Sequence, residues 1–483
     1  MAARTDKKNA EQQQHNQRQR EKQTRRKRRV STFAVSHPDA AGIDIGSRSH
    51  WVCVALTTDV HDVDAIREFS AYTDGLRGIV AFLREHGVTS VAMESTGIYW
   101  IPLFELLVDE GFEVFLVNAS YTKQVKGRPK TDRRDCQWIY RLHHAGLLAA
   151  AYRPSGPTCV LRSYLRQRQT LIRYGGRHIQ HMQKALEQMN VKLTEVISDI
   201  TGVTGQKIIR AILDGERDPK TLSRLRDKAC KADQAEIARA LDGTFHEEHL
   251  FALKLAFELW QTYQEKLDQT DARIAQQLAT MKLDRPLPEL VAEPKRNHGH
   301  KPNEPRFGVR QAVYGVVGID LLAIEGLAET TALTLVAEIG TDVSKFATVQ
   351  NFTSWLGLCP CLKKTGGKVK SSRTRPGANR AAQALRLAAN GLWNSKSAMG
   401  AYYRRMKARL GAPQAITATA HKLARRVYYA LKYGMTYVKQ TQEQYEELMR
   451  ARQINALQRR ARQLGFQLLA PGEVPSQQAA PAP

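Results

Sequence analysis

At 483 residues the chain is long enough for two or three domains, each with its own core. Its 73 Lys and Arg against 47 Asp and Glu leave a formal charge of +26, which points to a polyanionic partner, nucleic acid before any other. No apolar run reaches membrane-spanning length, no apolar stretch follows the basic N-terminus, and the six cysteines are scattered without zinc-ligand spacing, so a membrane protein, a disulfide framework and a zinc site are excluded and a cytoplasmic protein with reduced thiols is expected.

Residues 1–36 are Gln-rich and Arg-rich, ending in Arg25-Arg-Lys-Arg-Arg29, and offer almost nothing to bury. They read as a basic arm, disordered when free, that lies along a phosphate backbone or solubilises the chain.

Residues 37–154 read as an α/β unit. Ile43 and Ile45 flank Asp44 in a β-rich run, and Trp51–Leu56 supplies a second run as in a hairpin. A helix from Thr73 to His86 precedes the strand Val88–Met93, which delivers Glu94 at its C-terminal end, where sites form in α/β sheets. A helix with Leu103, Leu106 and Leu107 follows, then the strand Phe112–Val117. The stretch Gly127-Arg-Pro-Lys-Thr-Asp-Arg-Arg-Asp135 opens an amphipathic helix running to about Ala150. Three-residue spacing puts Asp132 and Asp135 on one helix face, suited to a hard divalent cation. Arg128, Lys130, Arg133 and Arg134 around them would draw in a polyanion, a combination that suggests phosphodiester chemistry. The alternative is that Asp132 is an N-cap and Asp135 answers the helix dipole.

From 155 to 285 the pattern is helical. Arg162, Arg166, Arg168, Arg173, Arg177 and Lys184 interleave with leucines and isoleucines on a basic amphipathic helix, expected to break or kink at Gly175-Gly176, that is either a solvated face or a nucleic-acid contact. Leu253, Trp260, Leu267, Ile274 and Met281 recur every seventh residue, with Gln264 and Asp271 interrupting the core positions. This predicts a coiled-coil arm for oligomerisation or interdomain contact. Residues 286–308, rich in Pro, Lys, His and Asn, read as a linker.

The region 309–440 opens with short helices around Gly326. It continues to an exposed loop, Lys363-Lys-Thr-Gly-Gly-Lys-Val-Lys-Ser-Ser-Arg-Thr-Arg-Pro-Gly377, small, hydroxylic and cationic enough to admit a phosphate and present a nucleophile. Lys368, Arg373 and Arg375 are its candidate phosphate contacts, and a plain surface loop is the alternative. Residues 441–483 read as a helix and a disordered Gln/Pro/Ala tail.

Gly42-Ile-Asp-Ile-Gly46, Met93-Glu-Ser-Thr-Gly97, Lys130-Thr-Asp-Arg-Arg-Asp135 and the region from Gly326 through Ala389 together resemble the insertion-sequence DEDD transposases related to Piv-type DNA invertases. The resemblance implies an N-terminal RuvC-like domain of RNase H fold, a central helical coiled-coil arm and a mainly helical C-terminal transposase domain. It implies that Asp44, Glu94, Asp132 and Asp135 bind two Mg²⁺ ions, with Mn²⁺ as a substitute, and that a hydroxyl beside a Gly-Gly-Lys motif attacks DNA. Where the family places serine, this chain has Thr365; Ser371 and Ser372 are the fallbacks. Donor and target DNA, a structured bridge RNA and a dimer assembling to a tetramer are the implied partners, and action on DNA would bring the protein to the nucleoid. The competing readings are a RuvC-like nuclease or junction resolvase with no covalent intermediate, and a non-catalytic nucleic-acid-binding protein.

Overall fold

The computed structural model describes residues 35–55, 62–95, 97–118, 131–154, 156–290, 303–377 and 379–466. The chain forms two compact units that meet at Arg153 and Pro154. The first is mixed α/β and the second is mostly helical. Most of the basic arm (1–34) and of the tail, and the middle of the expected linker (291–302), lie outside the described residues.

In the first unit, β1 (Ala40–Ile45) and β2 (Ser49–Cys53) form the expected hairpin, closed by Gly46 N–H donating to Ser49 O at 3.1 Å. A further strand, β3 (Ile66–Ser70), pairs antiparallel with β2. It is absent from the sequence reading because its two apolar residues, Ile66 and Phe69, do not alternate. Helix α1 (Thr73–Glu85) leads to β4 (Ser90–Glu94), parallel to β1, and α2 (Trp100–Asp109) leads to β5 (Glu113–Val117), parallel to β4. The sheet order is β3-β2-β1-β4-β5. Strand period two assigns the faces. Ala41, Ile43, Val91 and Met93 pack with Leu76, Ile79, Leu83, Leu103 and Leu107 of α1 and α2. Ala40, Cys53, Ala92 and Val117 face the other way, onto α3 (Asp132–His144).

The second unit is built on two long helices, α4 (Gly156–Gln188) and α9 (Glu247–Thr280). They are antiparallel: Gln277 Nε2 donates to Pro157 O at 3.2 Å, while Gly175 faces Tyr263 farther along. The expected break at Gly175-Gly176 does not occur. Between them α5 (Leu193–Val196), α6 (Val203–Leu213), α7 (Pro219–Ser223) and α8 (Gln234–Ala240) close a core with Met182, Leu186, Leu253, Phe257 and Trp260. The heptad residues Leu253, Trp260, Leu267 and Ile274 are buried within this same chain, so the seven-residue signal arises from an intrachain helix pair rather than a free arm. Asp271, an interruption of the stripe, accepts from Arg168 Nε at 2.5 Å and Nη2 at 3.2 Å, with both side chains almost fully buried.

The described flanks of the expected linker are tied down. Arg168 Nη1 donates to Asn303 O at 3.0 Å and Arg306 N–H to Asp271 Oδ2 at 3.1 Å. Helices α10 (Val309–Val317), α11 (Glu329–Ile339) and α12 (Val349–Trp355) follow, with a 3₁₀ turn, Leu321–Ala323, after α10. The expected loop is instead a two-stranded ribbon, β6 (Lys363–Thr365) and β7 (Lys368–Ser371), antiparallel and reversed at Gly366-Gly367. Four helices complete the unit: α13 (Arg380–Gly391), α14 (Ala398–Leu410), α15 (Ala412–Tyr433) and α16 (Met435–Gln463). Among the described residues no helix is long and apolar enough to cross a membrane.

Candidate active site

Asp44 and Glu94 stand at the C-terminal ends of adjacent parallel strands. Ile43 pairs with Met93 in register, which brings the next two residues, both acids, level with one another. Alternation along β1 and β4 directs Asp44 and Glu94 to the face that carries α3, the same face as Ala40 and Ala92. Both are half-buried.

Helix α3 crosses this face in close contact, and Gly42 is the reason it can. A Cβ at Gly42 would lie 2.2 Å from Tyr140 N and 2.6 Å from Cys136 O, inside backbone atoms that cannot step aside. The bare strand at Gly42 thus seats the second and third turns of α3. Its last turn is held by Ser90 Oγ and His143 Nε2 at 2.7 Å. The helix therefore runs opposite to β1, and its N-terminal turn falls at the acidic strand ends. That turn is capped by Thr131, whose hydroxyl accepts from Arg134 N–H at 3.4 Å. The cap is not Asp132, so the capping alternative fails for that residue; Asp132 is exposed, and it and Asp135 are both acids of the first turn, where they also answer the helix dipole. Asp135, one turn on, is half-buried on the same helical face. The Arg133 guanidinium stacks over Trp51 at 4.6 Å, and Trp51 is the register partner of Asp44.

Beneath the acids lie two free thiols, Cys53 and Cys136, both fully buried. Contact with Cys53, burial and the negative charge of Asp44 push the Cys136 thiol far up, which keeps it protonated. The donors the site offers a cation are then carboxylate oxygens, a hard set suited to Mg²⁺ and not to soft thiophilic metals. The four acids share one edge without closing into a cage: among the described residues no three His, Cys, Asp or Glu side chains come together closely enough to hold an ion.

The remaining candidates divide. Arg128 and Lys130 lie outside the described residues. Arg162 and Arg166 are engaged within the fold. Arg162 donates to the carbonyls of Ala337 (3.2 Å) and Glu338 (2.7 Å), and Arg166 binds the Glu338 carboxylate through two bonds of 3.0 and 2.8 Å, tying α4 to the end of α11. Glu338 was not foreseen as a partner, since it is distant in sequence. Arg173 and Arg177 are exposed on α4. In the second unit Thr365, Ser372, Lys368, Arg373 and Arg375 are all exposed on the ribbon or just after it. Thr365 pairs with Lys368 across the turn, and Ser371 Oγ accepts from Arg373 N–H at 3.3 Å.

Two family models match the chain. One, described as a transposase and named for the DEDD transposases of IS110, covers residues 41–191. The other, described as transposase of the IS116/IS110/IS902 family, covers residues 320–404. The chain is an insertion-sequence DEDD transposase. No curated protein matches it. The first match contains the four candidate acids, Asp44, Glu94, Asp132 and Asp135, and the second contains the ribbon; α5–α10 fall between them.

Proposed function

We propose that this transposase cuts and rejoins DNA with Asp44, Glu94, Asp132 and Asp135 as a two-Mg²⁺ centre in a RuvC-like first unit, and with a ribbon hydroxyl as nucleophile. The observation that carries the reading is the shared face of Asp44 and Glu94 under the N-terminal turn of α3. The strand order β3-β2-β1-β4-β5, three antiparallel strands continued by two parallel ones, supports the RNase H assignment. Bound Mg²⁺, or Mn²⁺ in its place, would stabilise charge on the attacking and leaving oxygens of the phosphodiester.

The protein's own groups do the rest. Arg133, held over Trp51, and Arg134 lie where a phosphate backbone approaches the acids, and Arg173 and Arg177 offer further cationic surface. Thr365 Oγ attacks phosphorus; an Oγ–P bond forms as the bond to the leaving oxygen breaks, and that oxygen gains a proton as Thr365 loses one. The ester conserves the bond energy, so rejoining needs no external source. A bridge RNA that pairs with donor and target, and assembly through dimers to a tetramer, complete the proposal.

The test uses purified protein and nicked suicide DNA. Asp44→Asn/Asp135→Asn should abolish cleavage in Mg²⁺ while leaving DNA binding within a few-fold, because charge stabilisation is needed in the transition state and not for docking. Undiminished cleavage by that double variant overturns the metal centre. Thr365→Ala should remove the covalent adduct; an adduct mapped to Ser371 or Ser372 would move the nucleophile there, and nicks with no adduct would favour a resolvase-like nuclease.

A further inference from the structure

The last described helix, α16, is unlike the others. It packs on α15 at its start, but every residue from Arg450 to Arg460 is exposed, and so are Arg462 and Gln463. Between Glu447 and Gln463 there are five arginines, Arg450, Arg452, Arg459, Arg460 and Arg462, and one acid, Glu447 itself. A solvated helix with no buried face is not held by packing, and five like charges repel one another along it. An anion laid against it would relieve both.

The charges are not spread evenly. At about 100° per residue, three of the five arginines, Arg452, Arg459 and Arg462, fall on one side with Asn455 and Gln463; Ile454, Leu457 and Ala461 fall on the opposite side together with Arg450, and Arg460 lies on the flank between the two. The cationic side carries the residue types that read base edges, Arg for guanine and Asn or Gln for adenine, between the charges that would hold phosphates. An α-helix is roughly 10–12 Å across with its side chains, which suits the roughly 12 Å major groove of B-form DNA. The deep, narrow major groove of an RNA duplex does not admit one.

We infer that α16 is a second DNA contact of the transposase, outside both family matches and outside the acidic site, which lays its Arg452/Asn455/Arg459/Arg462 side into the major groove of duplex DNA. It does not depend on the metal centre, because docking needs neither the four acids nor a cation.

The experiment measures binding of the full-length protein to a fluorescent 30-base-pair DNA duplex, and to an RNA duplex of the same sequence, in EDTA across a salt series. Arg452→Gln/Arg459→Gln/Arg462→Gln should weaken DNA-duplex binding by about tenfold or more and lower the log–log salt slope by about 2–3, three charges at roughly 0.9 each. RNA-duplex binding should change by less than about twofold. Unchanged DNA affinity and slope in the triple variant would overturn the inference, as would an equal loss on both duplexes, which would make α16 a general polyanion arm. A variant that loses DNA binding only because it changes oligomeric state, seen by light scattering, would also overturn it and would assign the helix to self-association. The charge-preserving Arg452→Lys/Arg459→Lys/Arg462→Lys variant should keep most of the salt slope.

Discussion

Gly42 and His143 show how single residues place the acids. Gly42 has no side chain to hold α3 off β1, and the sequence displayed it only as the first residue of the Gly42-Ile-Asp-Ile-Gly46 motif. His143 locks the far end of the same helix. It is fully buried, bonded through Nε2 to Ser90, stacked on the His37 ring at 4.4 Å, and its Nδ1 finds no partner among the described residues. Burial, with smaller contributions from the charges of His37 and His144, lowers it to about 4 from an ordinary 6.5. The folded chain therefore keeps it neutral while the unfolded chain takes up a proton below about pH 6.5. The first unit should lose stability as pH falls from about 6.5 toward 4, by up to roughly 3 kcal/mol at the lower end, and should not be affected by this group above pH 7. Tyr140 stacks on His144, and neither it nor Phe115 beside His143 brings a negative charge to offset the effect. Urea unfolding at pH 7.5 and pH 5 checks this: His143→Gln, which keeps a partner for Ser90, should flatten the difference, and an equally steep pH dependence in that variant would refute the assignment.

Among the elements, the legible ones were those whose pattern is local. β1, β4 and β5 are short apolar runs bounded by turns, and Glu94 lies at a strand end as its position after Met93 indicated. What escaped depended on partners far along the chain. The ribbon β6–β7 is built from lysines, Thr365 and Ser371 with Val369 as its single apolar residue, so it shows no apolar alternation, and it exists because Gly366 and Gly367 have φ of 55° and 76°, the left-handed pair that a tight hairpin turn needs. Arg162 and Arg166 looked like free cations because Glu338 is remote in sequence. The heptad was visible, but not that its complement was α4. Asp271, which seemed a flaw in that heptad, fixes the pairing of α9 with α4 through Arg168. Asp271→Ala leaves a buried guanidinium unpaired and should cost about 3–5 kcal/mol, whereas Arg168→Met/Asp271→Leu should restore most of the loss. Thermal unfolding of the two variants decides it: equal damage from both would mean that the pair has no part in setting the register.

For the whole molecule, the division at Arg153 and Pro154 separates two cores, one around the sheet and one around the α4–α9 pair. A lesion in either should register in its own unit. Gly42→Ala, which forces α3 off the sheet, should lower the unfolding temperature of the first unit and abolish strand cleavage, while Asp271→Ala lowers that of the second; hydrogen exchange resolved by peptide reports each separately. The separation also bears on the ribbon. From its base, where Pro360 bridges to Thr374, to Thr365 is five residues of extended chain, a reach of roughly 16 Å. A hydroxyl at the tip of so long a lever gains or loses position with every residue pair inserted or deleted below it. If Thr365 is the nucleophile, as proposed above, ribbon length sets how far its hydroxyl stands from the helical scaffold, and changing that length by one pair should alter which phosphate is attacked before it alters whether any is.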